Sequence, residues 1–159
     1  MKYVCTLIAV MDLEKSKEFY YDILEQKVIQ DFGANVLLSG GFALQTLETW
    51  KDFIEAKEEE ILFGGNDSEL AFEVDDMDGF VSKLRSFGVT YVHPMKEHSW
   101  GQRVVRFYDP DKHVIEVGEN MAVVVKRFID SGLTAEETAK RMDIPMEYVN
   151  YLLTKQNNN

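Results

Sequence analysis

Apolar and polar residues alternate, then bunch at helical spacing, then alternate again, and this cycle runs twice along the chain. From Lys2 to Val10 the alternation predicts a strand, with Cys5, Leu7 and Ala9 on one face and Val4, Thr6, Ile8 and Val10 on the other. Asp12 can cap the helix that follows. On that helix Phe19 with Ile23, and Tyr20 with Leu24, stand one turn apart and form an apolar stripe. Three short strands are then expected at Lys27 to Asp31, Asn35 to Ser39 and Phe42 to Leu47, with turns at Gly33 and Gly40-Gly41.

The pattern breaks over residues 48–68. Trp50, Phe53 and Ile54 suit a short helix, Lys57 to Glu60 is a solvated charge run, and Gly64-Gly65-Asn66-Asp67 reads as loop. This stretch is the expected linker. The first pattern then returns. Glu69 to Val74 alternates as a strand, and Asp75 or Asp76 can cap a helix carrying Met77, Phe80, Val81, Leu84 and Phe87. Gly88 would end that helix, and Val89 to Val92 forms a strand that Pro94 breaks or places at an edge. A strand–turn–strand unit from Gly101 to Val117 completes the second cycle. Strand, helix and three strands thus occur twice, which predicts an α+β fold of two βαβββ modules at about 1–47 and 69–118.

The remainder has a different rhythm. Met121 to Ile129 is expected to be helical, Thr134 and Glu137 have capping-box spacing, and Pro145 can open a third helix bearing Val149, Leu152 and Leu153. Residues 120–156 therefore read as a helical extension with a helix-turn-helix flavour, and 157–159 as a disordered polar tail. From Thr134 to Lys155 the cations Lys140, Arg141 and Lys155 face Glu136, Glu137, Asp143 and Glu147. A recognition helix needs an excess of cations toward phosphate, so this segment reads as a packing or partner-binding appendage.

Composition narrows the function classes. The formal net charge of −11 argues against attraction to nucleic acid or anionic membrane. No apolar run approaches the roughly 20 residues of a membrane helix, and no secretory signal is evident. Cys5 is the only cysteine, so no internal disulfide can form, which fits a cytoplasmic setting.

The strand–turn–strand unit carries the candidate chemistry. Pro110 presets the turn Asp109-Pro110-Asp111-Lys112, whose aspartates can bond the backbone just beyond them. Glu116 falls among the apolar residues of the second strand. A carboxylate there is costly unless it is paired or metal-bound, and Arg103 or Arg106 on the neighbouring strand could pair it. His113 alternates to the opposite face from Glu116. His98 and Trp100 sit on a loop, where a histidine and an aromatic can contact a ligand.

Two signatures resemble the vicinal oxygen chelate superfamily, which includes glyoxalase I, bleomycin-resistance proteins and extradiol dioxygenases. One is Val10-Met11-Asp12-Leu13 with Ser16, Phe19-Tyr20 and Ile23-Leu24. The other is Trp100-Gly101-Gln102-Arg103, then Phe107-Tyr108-Asp109-Pro110-Asp111 and Ile115-Glu116. The resemblance covers about residues 1–119 and implies two modules whose curved sheets form a cup, often completed in a homodimer. It implies metal positions at Cys5, Gln45, Glu69 and Glu116, with zinc, nickel, manganese or iron as the divalent ion. This set lacks histidine and mixes a thiol, an amide and two carboxylates.

Two functional readings follow from the resemblance. In one, the protein is a glyoxalase I-like lyase or isomerase for a small oxygen-rich or thiol-conjugated metabolite, with Glu116 or Glu69 moving the proton. His98, Trp100, Arg103 and Tyr108 would then bind substrate. In the other, it is a metal-free binding protein of the bleomycin-resistance type, or a ligand-sensing regulator that uses its C-terminal helices.

Overall fold

A computed structural model describes residues 1–156, with side chains to Thr154; the tail at 157–159 lies outside the described residues. The chain divides into two compact units. The first is Met1–Ser68 with Tyr108–Val114, and the second is Glu69–Phe107 with the chain from Ile115 onward.

The first unit contains β1 (Thr6–Val10), α1 (Leu13–Leu24), β2 (Val28–Asp31), β3 (Asn35–Leu38), β4 (Phe42–Thr46) and α2 (Leu47–Phe53). Its sheet has the order β1-β4-β3-β2, with β1 parallel to β4 and the other neighbours antiparallel. The Asp12 side chain accepts from the amide of Lys15 and so starts α1. The stripe on α1 buries Tyr20, Ile23 and Leu24. The Tyr20 ring meets Phe42 edge-on at 5.2 Å.

The second unit repeats this plan with β5 (Glu69–Val74), α3 (Met77–Ser86), β6 (Tyr91–Glu97), β7 (Arg103–Tyr108) and β8 (Val114–Glu119). Its sheet order, β5-β8-β7-β6, is the order of the first sheet shifted by one module. Asp76, not Asp75, caps α3 by accepting from Gly79. Three helices follow: α4 (Met121–Asp130), α5 (Ala135–Met142) and α6 (Met146–Gln156). They bury a cluster of Val124, Val125, Ala139, Met142, Val149 and Leu152. The capping box of Thr134 and Glu137 opens α5. Among the described residues no helix is long and apolar enough to cross a membrane.

Two strands differ from expectation. The first begins at Thr6, not Lys2, because the register pairs Thr6 with Phe42, the first residue of β4. Cys5 therefore lies just outside the sheet. The strand expected over Val89 to Val92 instead runs from Tyr91 to Glu97, through Pro94. This is tolerated because β6 is an edge strand and its pairing slips between His93 and Lys96, so the missing proline N–H leaves no ladder bond broken.

Candidate functional site

In the second unit, one face of the sheet presents a polar side chain from each of four strands in turn. They are Glu69 on β5, Glu116 on β8, Arg106 on β7 and His93 on β6. Strand alternation places Arg106 on the face opposite Arg103, Val105 and Phe107, and register sets it against His93. The guanidinium gathers this row. Its Nε donates to Glu69 Oε2 at 2.8 Å, and Nη2 reaches Glu69 Oε1 at 3.4 Å. Nη2 also forms an ion pair with Glu116, and Nη1 lies 3.3 Å from His93 Nε2.

The contacts of His93 fit one ring tautomer. Nη1 can only donate, so a bond to Nε2 requires the tautomer with N–H at Nδ1, which lies 2.8 Å from the carbonyl oxygen of Pro94. His98 contributes from the loop beyond β6. Its ring stacks on Trp100 at 4.2 Å with 14° between planes. Partial burial lowers its pKa, and the charges of Lys96 and Arg106 lower it further, against an opposing pull from Glu116. The loop is held by His98 and Gln102, whose backbones bond at 2.9 Å, with Gly101 at φ +92° closing the turn.

Arg103 faces the other way. It binds Asp78 on α3 at 3.0 Å and the fully buried Glu119 at 2.7 Å. Arg127 on α4 adds a second bond to Glu119, at 3.1 Å. Burial alone would raise the pKa of Glu119, but the bonds from Arg103 and the charge of Arg127 outweigh it and hold the carboxyl below its ordinary value.

The first unit has its own polar centre. The Tyr20 hydroxyl donates to Asp109 Oδ2 at 2.9 Å, and His113 Nδ1 lies 2.8 Å from the same oxygen. Asp109 Oδ1 accepts from the amides of Asp111 and His113 at 2.9 and 2.8 Å, so this aspartate shapes the turn as its sequence predicts. Burial raises the pKa of neighbouring Asp111, partly offset by a backbone bond from Met11.

The residues singled out from sequence fall into both units. Cys5, Gln45 and Tyr108 belong to the first; Glu69, His98, Trp100, Arg103 and Glu116 belong to the second. Gln45 is buried, accepting from Asn35 at 2.8 Å and donating to Thr49. The Tyr108 hydroxyl lies 3.4 Å from Asn66. Cys5 is a half-buried free thiol. Among the described residues no three His, Cys, Asp or Glu side chains form a group that could hold a metal.

The donors themselves fit a divalent ion poorly. Glu69 and Glu116, the two carboxylates of the implied set, already share the permanent cation of Arg106. A metal at that pair would have to displace the guanidinium and lie beside its charge.

Two residues escaped the sequence-based site: Arg106 and Glu119. Arg106 was legible as one of two partners for Glu116. Glu119 carried a signal as well, because it follows Ile115 and Val117 on the inward side of β8, where a carboxylate demands a partner.

A family model for the glyoxalase-like domain matches residues 3–122. The uncharacterized protein YraH of Bacillus subtilis is 30% identical over 125 residues, which is 74% of this chain and 97% of that protein. A solved protein of unknown function from Agrobacterium tumefaciens is similar at a TM-score of 0.66 with 36% identity, over 76% of this chain and 94% of that one. The lactoylglutathione lyase of Agrobacterium tumefaciens is similar in fold, at a TM-score of 0.56 with 20% identity, over 76% of this chain and 94% of that one.

Proposed function

The chain belongs to the glyoxalase-like domain family, and we propose on that premise that it binds a small oxygen-rich molecule at the Arg106 face without a metal at Glu69 and Glu116. Members of the family often use a divalent ion, and here the supporting observation is that Arg106 supplies the positive charge between the two carboxylates. A guanidinium is always charged and presents five donors in a fixed fork, so it can orient oxygen atoms as well as neutralise acids. Three of those five donors are taken by Glu69 and Glu116 and one by His93. The one donor left on Nη1 suits a ligand oxygen.

The ligand-bound form would keep Glu69 and Glu116 as struts for Arg106 and not as proton carriers. A glyoxalase I-like lyase needs those carboxylates free for an ion or a proton, so the metal-free reading fits the residues better. Homodimer formation is part of this proposal. The exposed Ile29, Phe32, Phe53 and Leu62 of the first unit are large apolar side chains that pairing would cover.

The experiment has two arms. The purified protein is dialysed against zinc, nickel, manganese and iron in turn and its bound metal measured. The same samples are assayed with the hemithioacetal of methylglyoxal and glutathione. We expect substoichiometric metal and no turnover from the native chain, and zinc uptake once Arg106→Ala releases the two carboxylates. Stoichiometric metal in the native chain, or metal-dependent turnover, would overturn the reading.

A further inference from the structure

Within the second unit, a cavity of about 570 Å³ opens between the Ser99–Gln102 loop and the helices that follow the sheet. This is the size range of small-molecule sites, roughly 300 to 1,000 Å³. Its far wall comes from Arg141, Met142, Asp143 and Ile144, beyond residue 122 where the family match ends. It is thus built by the helical extension acting with the sheet.

The lining has three chemical parts. The first is apolar: Met121, Met142 and Ile144, with two flexible thioether chains that adapt to a ligand body. The second is the indole of Trp100. One of its ring faces is covered by His98, and its Nε1 donates to Gln102 at 3.2 Å. With its N–H engaged by Gln102, the ring face that His98 leaves uncovered is what it can offer a ligand.

The third part is a pair of opposite charges, and they are not equally free. Arg141 donates to the carbonyl oxygen of Ser99 and faces Glu97 at 3.6 Å. Its guanidinium also lies over the Phe128 ring, 5.2 Å from the centroid. Asp143 has no such commitment. It is exposed, it ends α5 in the left-handed region at φ 55°, and among the described residues its carboxylate has no hydrogen bond or ion pair. The carboxylate at the cavity that lacks a partner among the described residues is therefore Asp143, while Arg141 is held by Ser99 and shares Glu97 with Arg127.

We propose that this cavity binds a small organic cation, an ammonium group carried on an aromatic or apolar body. The ammonium would lie against the Trp100 ring with Asp143 as its counter-charge, and the body would pack on Met121, Met142 and Ile144. Indole is the strongest of the aromatic partners for a cation. A bound ligand would touch both the Ser99–Gln102 loop and the turn between α5 and α6, so its occupancy would stabilise the docking of the extension. This site does not involve Arg106 and meets the one proposed above only through the stacking of His98 on Trp100.

The test uses the full chain with Trp50→Phe, which leaves Trp100 as the sole tryptophan. Benzyltrimethylammonium, benzyl alcohol and phenylacetate are titrated by indole fluorescence and by calorimetry. The expected result is saturable quenching by the ammonium and binding at least about tenfold weaker for the other two. Asp143→Asn keeps a residue at ease in the left-handed region, and should weaken the cation by about tenfold with an unchanged melting temperature. Trp100→Leu should remove the calorimetric signal. The proposal fails if phenylacetate binds as tightly as the ammonium, if no probe saturates, or if Asp143→Asn leaves cation affinity unchanged.

Discussion

Arg103 grips Glu119 twice, with Nε at 3.2 Å and Nη2 at 2.7 Å from Glu119 Oε1. Arg127 binds the other carboxylate oxygen at 3.1 Å. A fully buried acid thus ties β7 to β8 and both to α4. Replacing Glu119 with Gln would leave two arginines short of their counter-charge. We expect a loss of about 3 kcal/mol in urea unfolding, as for other broken buried ion pairs.

The same carboxylate sets an acid dependence. Its folded pKa lies below its ordinary value, so folding holds the charged form more tightly than the unfolded chain does. Its stabilisation is therefore present above the unfolded pKa, about 4.3, and is lost as pH falls through the lower folded pKa. The stability gap between native protein and Glu119→Gln should be full above about pH 5.5 and should narrow steadily in more acidic buffer. A gap independent of pH would refute this account.

Gly101 has its own constraint. Its φ is +92°, and a β-carbon there would lie 2.3 Å from Phe128 Cζ. Gly101→Ala should cost about 2 to 4 kcal/mol, from backbone strain together with overpacking. Adding Phe128→Ala should restore only the steric part, so a double-mutant cycle should show a clear favourable coupling.

In the first unit, Tyr20→Phe deletes one donor to Asp109 and keeps the ring against Phe42. Asp109 Oδ2 retains His113, so the expected loss is about 1 kcal/mol. In a His113→Ala background the same change should cost more, because that oxygen then loses both side-chain partners. Thermal or urea unfolding of the four proteins checks this.

The elements themselves were legible because their causes are local. Asp12, Asp76 and Thr134 cap the helices whose amides they can reach within three residues. The turn at Asp109-Pro110-Asp111-Lys112 bonds its own backbone, with Lys112 taking the positive φ of 69°. The repeat of strand, helix and three strands is written in hydrophobic period alone.

Partner choice was not local, and it decided the candidate site. The sequence determined that Glu116 sits on a strand and needs a partner, and it narrowed that partner to Arg103 or Arg106. Only the tertiary structure assigned Arg106 to Glu116 and Glu69, and Arg103 to Glu119 and Asp78. The two arginines are three residues apart and so face opposite sides of the same strand. Which acids stand on each side depends on the order of four strands and the docking of α3 and α4, which no spacing along the chain encodes.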